Sequence, residues 1–296
     1  MTDHLRRFHF RDAPVRGHWV RLEKIWQDAT AHRDYAAPVR GLLGDMLAVT
    51  AMVANDIKHD GAVALQSLGS GPVALSFAEC RQQSKLRAIA RITEESGEPI
   101  DSAMSFRDLI GSGRVAISLI SSNNETPYQG LVALEAPDLA TNVESYFEVS
   151  EQLTTRILLA NDGTTLTGCL WQRLPAPDGA TDVTLDAEDD AWTTVLAMIE
   201  TIGTDELAAL DIEALLQRVF PTHAIYLDNP KPLAFECTCT AERTASALNA
   251  MDASEIETIL EEDGAVEVTC EFCGITYRYD ALELHSMQSG QTPQIH

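Results

Sequence analysis

Basic residues are scarce in this sequence. Its 296 residues include 21 lysines and arginines against 45 aspartates and glutamates, which gives a formal charge of −24 at neutral pH. Proteins that bind nucleic acids neutralise phosphates with lysine and arginine, and anionic membrane surfaces attract the same residues. The composition therefore argues against nucleic acid and membrane as partners and favours solubility.

Long apolar segments and signals for common catalytic sites are also missing. No apolar run reaches the roughly 18 residues that span a bilayer, and the N-terminus MTDHLRRFHF has no apolar core typical of a signal peptide. No acidic pair stands out for general acid–base chemistry. The segment GSGP at 69–72 is not followed by the Lys-Ser/Thr of a phosphate-binding loop. We expect a soluble cytoplasmic protein that is not an enzyme.

Cysteine is rare as well, yet four of the six cysteines lie in two short clusters. Cys237 and Cys239 form a CTC motif, Cys270 and Cys273 form a CEFC motif, and Gly274 follows to permit a tight turn. Two close pairs of thiols are the ligand set of a tetrahedral zinc site. A cytosolic chain with this spacing is more often metal-binding than disulfide-bonded. We therefore predict that these four cysteines bind zinc.

Zinc thiolates allow a second chemistry besides a structural role. Zinc keeps thiols ionised near neutral pH, and oxidants attack thiolates. Oxidation to disulfides would remove the ligands, release the metal and unfold a small domain that depends on it. The spacing alone leaves both alternatives open, a structural zinc site and a redox switch.

The surroundings of the cysteines suggest two further points. The charges of Glu236, Glu242 and Glu271 predict raised thiol pKa values in the absence of metal. Cys80 and Cys169 lie on predicted strands, and we expect them to be small buried apolar residues.

Hydrophobic periodicity predicts an α+β fold with an N-terminal domain of mixed sheet and helix over residues 1–177. A helix is expected from Val20 to about His32, and a second helix from Pro38 onward. A period of two then indicates successive strands at 62–69, 72–80, 85–92, 114–122 and 128–135.

The composition changes at residues 175–190, where prolines, a glycine and a run of acids indicate a domain boundary. Amphipathic helical segments follow, with Thr204 and Asp211 as expected N-caps, and we predict a helical linker over 178–230. Residues 231–296 form a predicted C-terminal zinc-binding domain. It contains a helix with a Ser254–Glu257 capping box and a hairpin around CEFC.

Three segments together carry a resemblance that covers most of the chain. They are the separated CTC and CEFC motifs, PVRGLLGDMLAVTAMVANDIKHDGAVALQSLGSGPVALSFAE, and YQGLVALEAPDLATNVESYFEVSEQL. In these segments the sequence resembles the redox-regulated chaperone family called heat shock protein 33. The resemblance implies an ATP-independent holdase that is inactive while reduced and zinc-bound.

The resemblance also implies how such a switch operates. Peroxide or hypochlorite, usually with heat, would release zinc, with Cys237 paired to Cys239 and Cys270 paired to Cys273. The C-terminal domain and the linker would unfold, and the active form commonly dimerises. Exposed apolar side chains of the linker would then bind unfolded client proteins. The expected client-binding residues are Trp192, Leu196, Ile199, Leu215 and Leu216.

Two other functions remain as alternatives. A thiol–disulfide oxidoreductase could use CEFC, although such a CxxC usually begins a helix in a βαβ setting rather than lying in a hairpin. A constitutive binding module with a structural zinc knuckle would bind its partners regardless of oxidant.

Overall fold

The computed structural model describes residues 3–56, 61–93, 100–120, 128–175, 182–248 and 251–288. The chain divides into two compact units, unit 1 (Met1–Glu236) and unit 2 (Cys237–His296). The mixed sheets and helices confirm the predicted α+β class. The predicted boundary at 177/178 lies outside the described residues, and the division into 1–177, 178–230 and 231–296 stays a prediction.

The described part of the chain contains fourteen strands, ten α-helices and one short π-helix at Phe147–Glu151. In chain order the strands are β1 His4–Phe10, β2 Val15–Leu22, β3 Ala62–Gly69, β4 Val73–Arg81, β5 Lys85–Ile92, β6 Gly113–Ile120, β7 Tyr128–Ala133, β8 Thr155–Asn161, β9 Leu166–Arg173, β10 Ile225–Leu227, β11 Lys231–Pro232, β12 Ala234–Phe235, β13 Val266–Thr269 and β14 Thr276–Tyr279. The helices are α1 Lys24–Thr30, α2 Ala37–Asp56, α3 Phe106–Ile110, α4 Leu139–Tyr146, α5 Asp182–Ile199, α6 Thr204–Ala209, α7 Ile212–Val219, α8 Ala241–Leu248, α9 Ala253–Asp263 and α10 Ala281–Gln288.

Unit 1 is built on two six-stranded sheets. The first has the order β10-β1-β2-β9-β8, with β11 also paired to β1, and the second has the order β12-β5-β4-β3-β6-β7. All of these pairs are antiparallel except β12 with β5, which is parallel. The five strands predicted between residues 62 and 135 are confirmed as β3 to β7.

Helix α2 packs between the two sheets. Leu43, Met46 and Leu47 are fully buried in a core that includes side chains from both sheets. Among the described residues α2 is long and apolar enough to cross a membrane, although no such segment was predicted from the sequence. However, 72% of its apolar window is buried inside the protein, as in the core helix of a globular fold.

A second core covers the opposite face of the first sheet. Trp19 and Trp171 lie on that face and pack against helices α5, α6 and α7. Consecutive residues of a strand point to opposite faces, so Trp19 belongs to this core while Val20 belongs to the first. Helices α6 and α7 have 6 and 8 residues, which is too short for a helix to persist in water without packing. Their folding therefore depends on contact with the sheet.

Three local predictions are wrong. A helix was predicted to begin at Val20, but Val20 lies in β2 and α1 begins at Lys24. The sequence of β2 does not alternate between apolar and polar residues, because both faces of this strand are covered by an apolar core. Thr204 was predicted to be an N-cap, but Gly203 is the N-cap of α6 and Thr204 is the first residue of that helix.

The third wrong prediction is the Ser254 capping box of α9. Asp252 is the N-cap instead, and its carboxylate accepts a hydrogen bond from the Ser254 amide at 3.0 Å. By contrast, the Asp211 cap of α7 is confirmed, because its carboxylate accepts from the Ala214 amide at 2.8 Å.

The described residues of unit 2 form a small domain with a small apolar core. The antiparallel pairing of β13 with β14 confirms the predicted hairpin around CEFC. Six buried side chains from this hairpin and its helices form the core. They are Ala245, Leu248, Ile256, Val266, Tyr279 and Leu284. Domains of this size gain marginal stability from such a core and often depend on a metal or disulfides.

Gly17 in β2 allows Phe8 and the backbone of Leu170 to pack closely against it. A Cβ atom there would lie 2.2 Å from Phe8 Cζ and 2.4 Å from the Leu170 carbonyl oxygen. We predict that Gly17→Ala lowers the free energy of unfolding by about 3 kcal/mol. Urea unfolding followed by tryptophan fluorescence measures this.

The matched control is Gly41→Ala in α2. Its Cβ atom would meet nothing nearer than Asn161 Nδ2 at 4.0 Å. Alanine favours a helix over glycine by about 1 kcal/mol, so this variant should be as stable as the parent or more so. Equal unfolding midpoints for the two variants would contradict the packing described for Gly17.

Candidate metal centre

Unit 2 brings the four predicted ligands together. The sulfur atoms of Cys237, Cys239, Cys270 and Cys273 all lie within 4.8 Å of one another. Cys237 Sγ is 3.6 Å from Cys270 Sγ, and Cys239 Sγ is 3.4 Å from Cys273 Sγ. Each of these contacts joins the CTC motif to the CEFC motif. All four thiols are free and partly buried.

The CEFC motif forms a tight turn between β13 and β14. The Cys270 amide donates a hydrogen bond to the Ile275 carbonyl at 2.8 Å, and the Gly274 amide donates to the Cys270 carbonyl at 2.8 Å. Gly274 has a φ of 70°, in the left-handed region where a side chain is strained. The glycine thus allows the turn that brings Cys270 and Cys273 together, as the sequence predicted.

The CTC motif is held by the start of α8. Thr240 Oγ1 accepts a hydrogen bond from the Arg243 amide at 3.2 Å, as an N-cap side chain does. Arg243 Nη1 in turn donates to the Thr238 carbonyl at 2.9 Å. These two contacts fix the backbone on both sides of Cys239.

A tyrosine of β14 contacts one of the sulfurs. The Tyr277 hydroxyl donates a hydrogen bond to Cys239 Sγ at 3.2 Å. Tyr279, on the same face of β14, instead donates to the Ala241 carbonyl at 2.7 Å. The contact of Tyr277 with the cluster was not predicted from the sequence. The available signal was its position, four residues after Cys273 on a strand whose alternate side chains share one face.

The thiols do not ionise equally well. Burial raises the pKa of Cys237 and of Cys273, and contacts with the thiols of Cys239 and Cys270 raise both further, while the contact with Cys273 acts to lower the pKa of Cys237. Burial also acts to raise the pKa of Cys239, but hydrogen bonds from Tyr277 and the other thiols outweigh it, so that pKa is lowered. A metal-free cluster therefore favours a mixture of thiol and thiolate over four thiolates.

The predicted cause of these shifts is wrong. Burial and thiol contacts dominate the pKa shifts, rather than the charges of the nearby glutamates. Within unit 1, Glu236 Oε1 accepts from Arg81 Nη2 at 2.9 Å, and Glu236 Oε2 lies 3.0 Å from Lys85 Nζ. These partners offset the charge of the carboxylate.

The donor set fits a zinc ion. A tetrahedral site with Zn–S bonds of about 2.3 Å has sulfur–sulfur edges of about 3.8 Å, close to the 3.4 Å and 3.6 Å separations between the two motifs. Four sulfurs select a soft metal and disfavour magnesium or calcium. No other group of three or more histidine, cysteine or acidic side chains is placed to hold a metal within the described part of the chain.

The remaining two cysteines are buried in unit 1, as predicted. Cys80 is 1% exposed and Cys169 is 0% exposed. Burial raises the pKa of Cys80 to about 12 and the pKa of Cys169 well above its usual value. Both thiols are therefore protonated at neutral pH and poorly reactive toward oxidants.

The expected client-binding residues are buried or partly buried. Trp192, Ile199, Leu215 and Leu216 are buried in the second core of unit 1, and Leu196 packs against that core partly buried. The structure thus places all five on the helices that cover the first sheet.

The chain is similar along its whole length to known chaperones. A family model described as Hsp33 protein matches residues 3–280. The 33 kDa chaperonin of Pseudomonas paraeruginosa is 36% identical over 294 residues, which cover 99% of this chain and 97% of that protein. The 33 kDa chaperonin of Shewanella baltica is 37% identical over 291 residues, which cover 98% and 97%.

A solved structure has the same fold. The crystal structure of a 33 kDa chaperonin from Thermotoga maritima matches with a TM-score of 0.79 at 19% sequence identity. The match covers 97% of this chain and 98% of the Thermotoga chain.

Zinc binding by this cluster should release protons. Because the pKa values of Cys237 and Cys273 are raised, these thiols are protonated at neutral pH, and a metal must displace their protons. We predict that zinc affinity falls roughly tenfold per pH unit, between pH 8 and pH 6, for each proton displaced.

Calorimetry of zinc binding in buffers of different ionisation enthalpy counts these protons. Cys80→Ala, which removes a buried thiol outside the cluster, should behave as the parent does. A zinc affinity that does not change with pH would contradict the prediction.

Proposed function

The chain belongs to the Hsp33 family, and we propose that it is an ATP-independent holdase chaperone that oxidation switches on. The observation that carries the proposal is the cluster of four sulfurs within 4.8 Å in unit 2. The buried apolar helices of unit 1 supply a surface that the folded protein keeps hidden.

In the proposed reduced state, the four cysteines hold zinc. The ion would keep all four sulfurs ionised and tie the CTC and CEFC motifs together. Because six buried side chains form the apolar core in the described residues of unit 2, metal binding would provide much of its folding free energy. The chaperone is inactive in this state because its client-binding residues stay packed in unit 1.

Peroxide is the proposed oxidant. One thiolate attacks a peroxide oxygen, the O–O bond breaks, and the sulfur becomes a sulfenic acid while the leaving hydroxide takes up a proton. A second thiolate then displaces hydroxide from that sulfur and forms the S–S bond. In total, two thiolates, one peroxide and two protons give one disulfide and two waters.

We propose that the disulfides join Cys237 to Cys239 and Cys270 to Cys273. The folded cluster does not favour this pairing, because the sulfur contacts of 3.6 Å (Cys237 with Cys270) and 3.4 Å (Cys239 with Cys273) both run between the two motifs. Once the metal has left, however, the two motifs are tethered only through a long loop. Short loops close at a lower entropic cost than long ones, which favours pairing within each motif.

Unfolding of unit 2 is proposed to release helices α5 to α7. Trp192, Ile199 and Leu215 would then leave the sheet face and become available to apolar segments of unfolded clients. We further propose that the activated chain forms a homodimer and acts in the cytoplasm. A formal charge of −24 supports a protein without nucleic acid or membrane partners.

The two alternative functions have less support. An oxidoreductase would place CEFC at the start of a helix, whereas here it joins two strands, β13 and β14. A constitutive binder would need its binding residues accessible in the folded protein, whereas the expected client-binding residues are buried or partly buried.

Light scattering of a heat-unfolding client tests the proposal. We predict that the peroxide-treated protein suppresses aggregation, that the reduced zinc-loaded protein does not, and that zinc appears in solution during treatment. Cys80→Ala with Cys169→Ala is the matched control and should switch normally. Equal suppression by both forms would support a constitutive binder instead.

Packing of the helices on the sheet should set the activation threshold. Leu215 is 0% exposed in the second core, so Leu215→Ala should destabilise that packing by about 2–5 kcal/mol. We predict that the reduced variant suppresses aggregation at temperatures where the reduced parent does not. Leu282→Ala, at a side chain that is 82% exposed, should leave the threshold unchanged. A reduced Leu215→Ala protein that stays inactive at every temperature would contradict the release of these helices.

A further inference from the structure

Tyr277 contacts the cluster without being one of its ligands. We propose that its hydroxyl restrains oxidation of the cluster by stabilising the Cys239 thiolate, and so sets how readily the switch responds to peroxide. This inference rests on the proposed redox function, and it assigns Tyr277 as a positioning residue for that chemistry.

The geometry supports a specific hydrogen bond. Tyr277 Oη lies 3.2 Å from Cys239 Sγ, within range for an O–H donor to sulfur. The phenol ring packs against the core of unit 2, and β14 is paired along its length with β13. The hydroxyl is therefore held in place by the hairpin that also carries Cys270 and Cys273.

A donor at this position changes the reactivity of the sulfur. Four thiolates around one divalent cation leave two negative charges in excess, so a hydrogen bond to any sulfur stabilises the site. The same bond withdraws electron density from Cys239 and makes it a weaker nucleophile toward peroxide. Partners of metal ligands change metal affinity by about 10- to 100-fold when they are removed.

The neighbouring tyrosine provides the matched control. Tyr279 lies on the same face of β14, but its hydroxyl donates to the Ala241 carbonyl at 2.7 Å and contacts the Thr244 hydroxyl. Tyr279→Phe therefore removes a buried hydrogen bond of unit 2 and leaves the sulfurs untouched. Comparison with Tyr277→Phe separates an effect on the thiolates from an effect on folding.

Three measurements on the full-length reduced protein test the role of Tyr277. Zinc release is followed at fixed peroxide concentration, at a temperature where every variant is folded. Zinc affinity is measured by competition with a coloured chelator. The sulfur-to-metal charge-transfer band is recorded after cobalt replaces zinc, because its energy reports the electron density on the sulfurs.

We expect Tyr277→Phe to bind zinc about tenfold more weakly, to release zinc severalfold faster with peroxide, and to shift the cobalt band to longer wavelength. Tyr279→Phe should lower the melting temperature of unit 2 but leave the cobalt band and the release rate as in the parent. An unchanged band and release rate in Tyr277→Phe would overturn the proposal.

A second variant covers the case in which Tyr277→Phe does not fold around the metal. A fluorinated tyrosine at position 277 keeps the shape of the ring and donates a stronger hydrogen bond, so zinc release should become slower than in the parent. Faster or equal release would overturn the proposal. Client suppression is measured separately, so a failure of the chaperone function would not be mistaken for a failure of this inference.

Discussion

Four thiolates within 4.8 Å of one another repel each other strongly, and a cation among them is required for all four to stay ionised. Without it, burial favours protonated thiols at Cys237 and Cys273. The two motifs would then have no strong attraction to hold them together. Because the described residues of unit 2 bury few apolar side chains, we propose that the fold of this unit depends on the chemistry of its sulfurs.

In unit 1, short helices depend on packing against a sheet. Helices α6 and α7 are too short to persist alone, so they are ordered by packing on the first sheet. The chain that follows α7 is held to unit 1 by short pairings of β10 and β11 with β1 and of β12 with β5. The next residues are Glu236, which is ion-paired to Arg81 and Lys85, and then Cys237. The covalent path from the cluster to the helices therefore runs through weak, short elements.

The sequence allowed the larger features to be predicted. Clear periods of two predicted β3 to β7, and the CTC and CEFC motifs predicted the sulfur cluster. Predictions failed where several residues competed for one role, as at the N-cap of α9, where Asp252 rather than Ser254 accepts the hydrogen bond. They also failed in β2, where burial on both faces hides the alternation. Tyr277 was missed because its one signal was its place on the strand after CEFC, and that signal does not identify Cys239, 38 positions away, as its partner.

We propose that loss of the metal-held fold in unit 2 releases the helices packed on the first sheet of unit 1. Hydrogen–deuterium exchange of the full chain, compared between the reduced zinc-loaded and the peroxide-oxidised forms, tests this claim most directly. The account predicts that amides of unit 2 and of α5 to α7 lose protection together, while β2 and β9 remain protected. Loss of protection in unit 2 alone, with α5 to α7 unchanged, would contradict the claim.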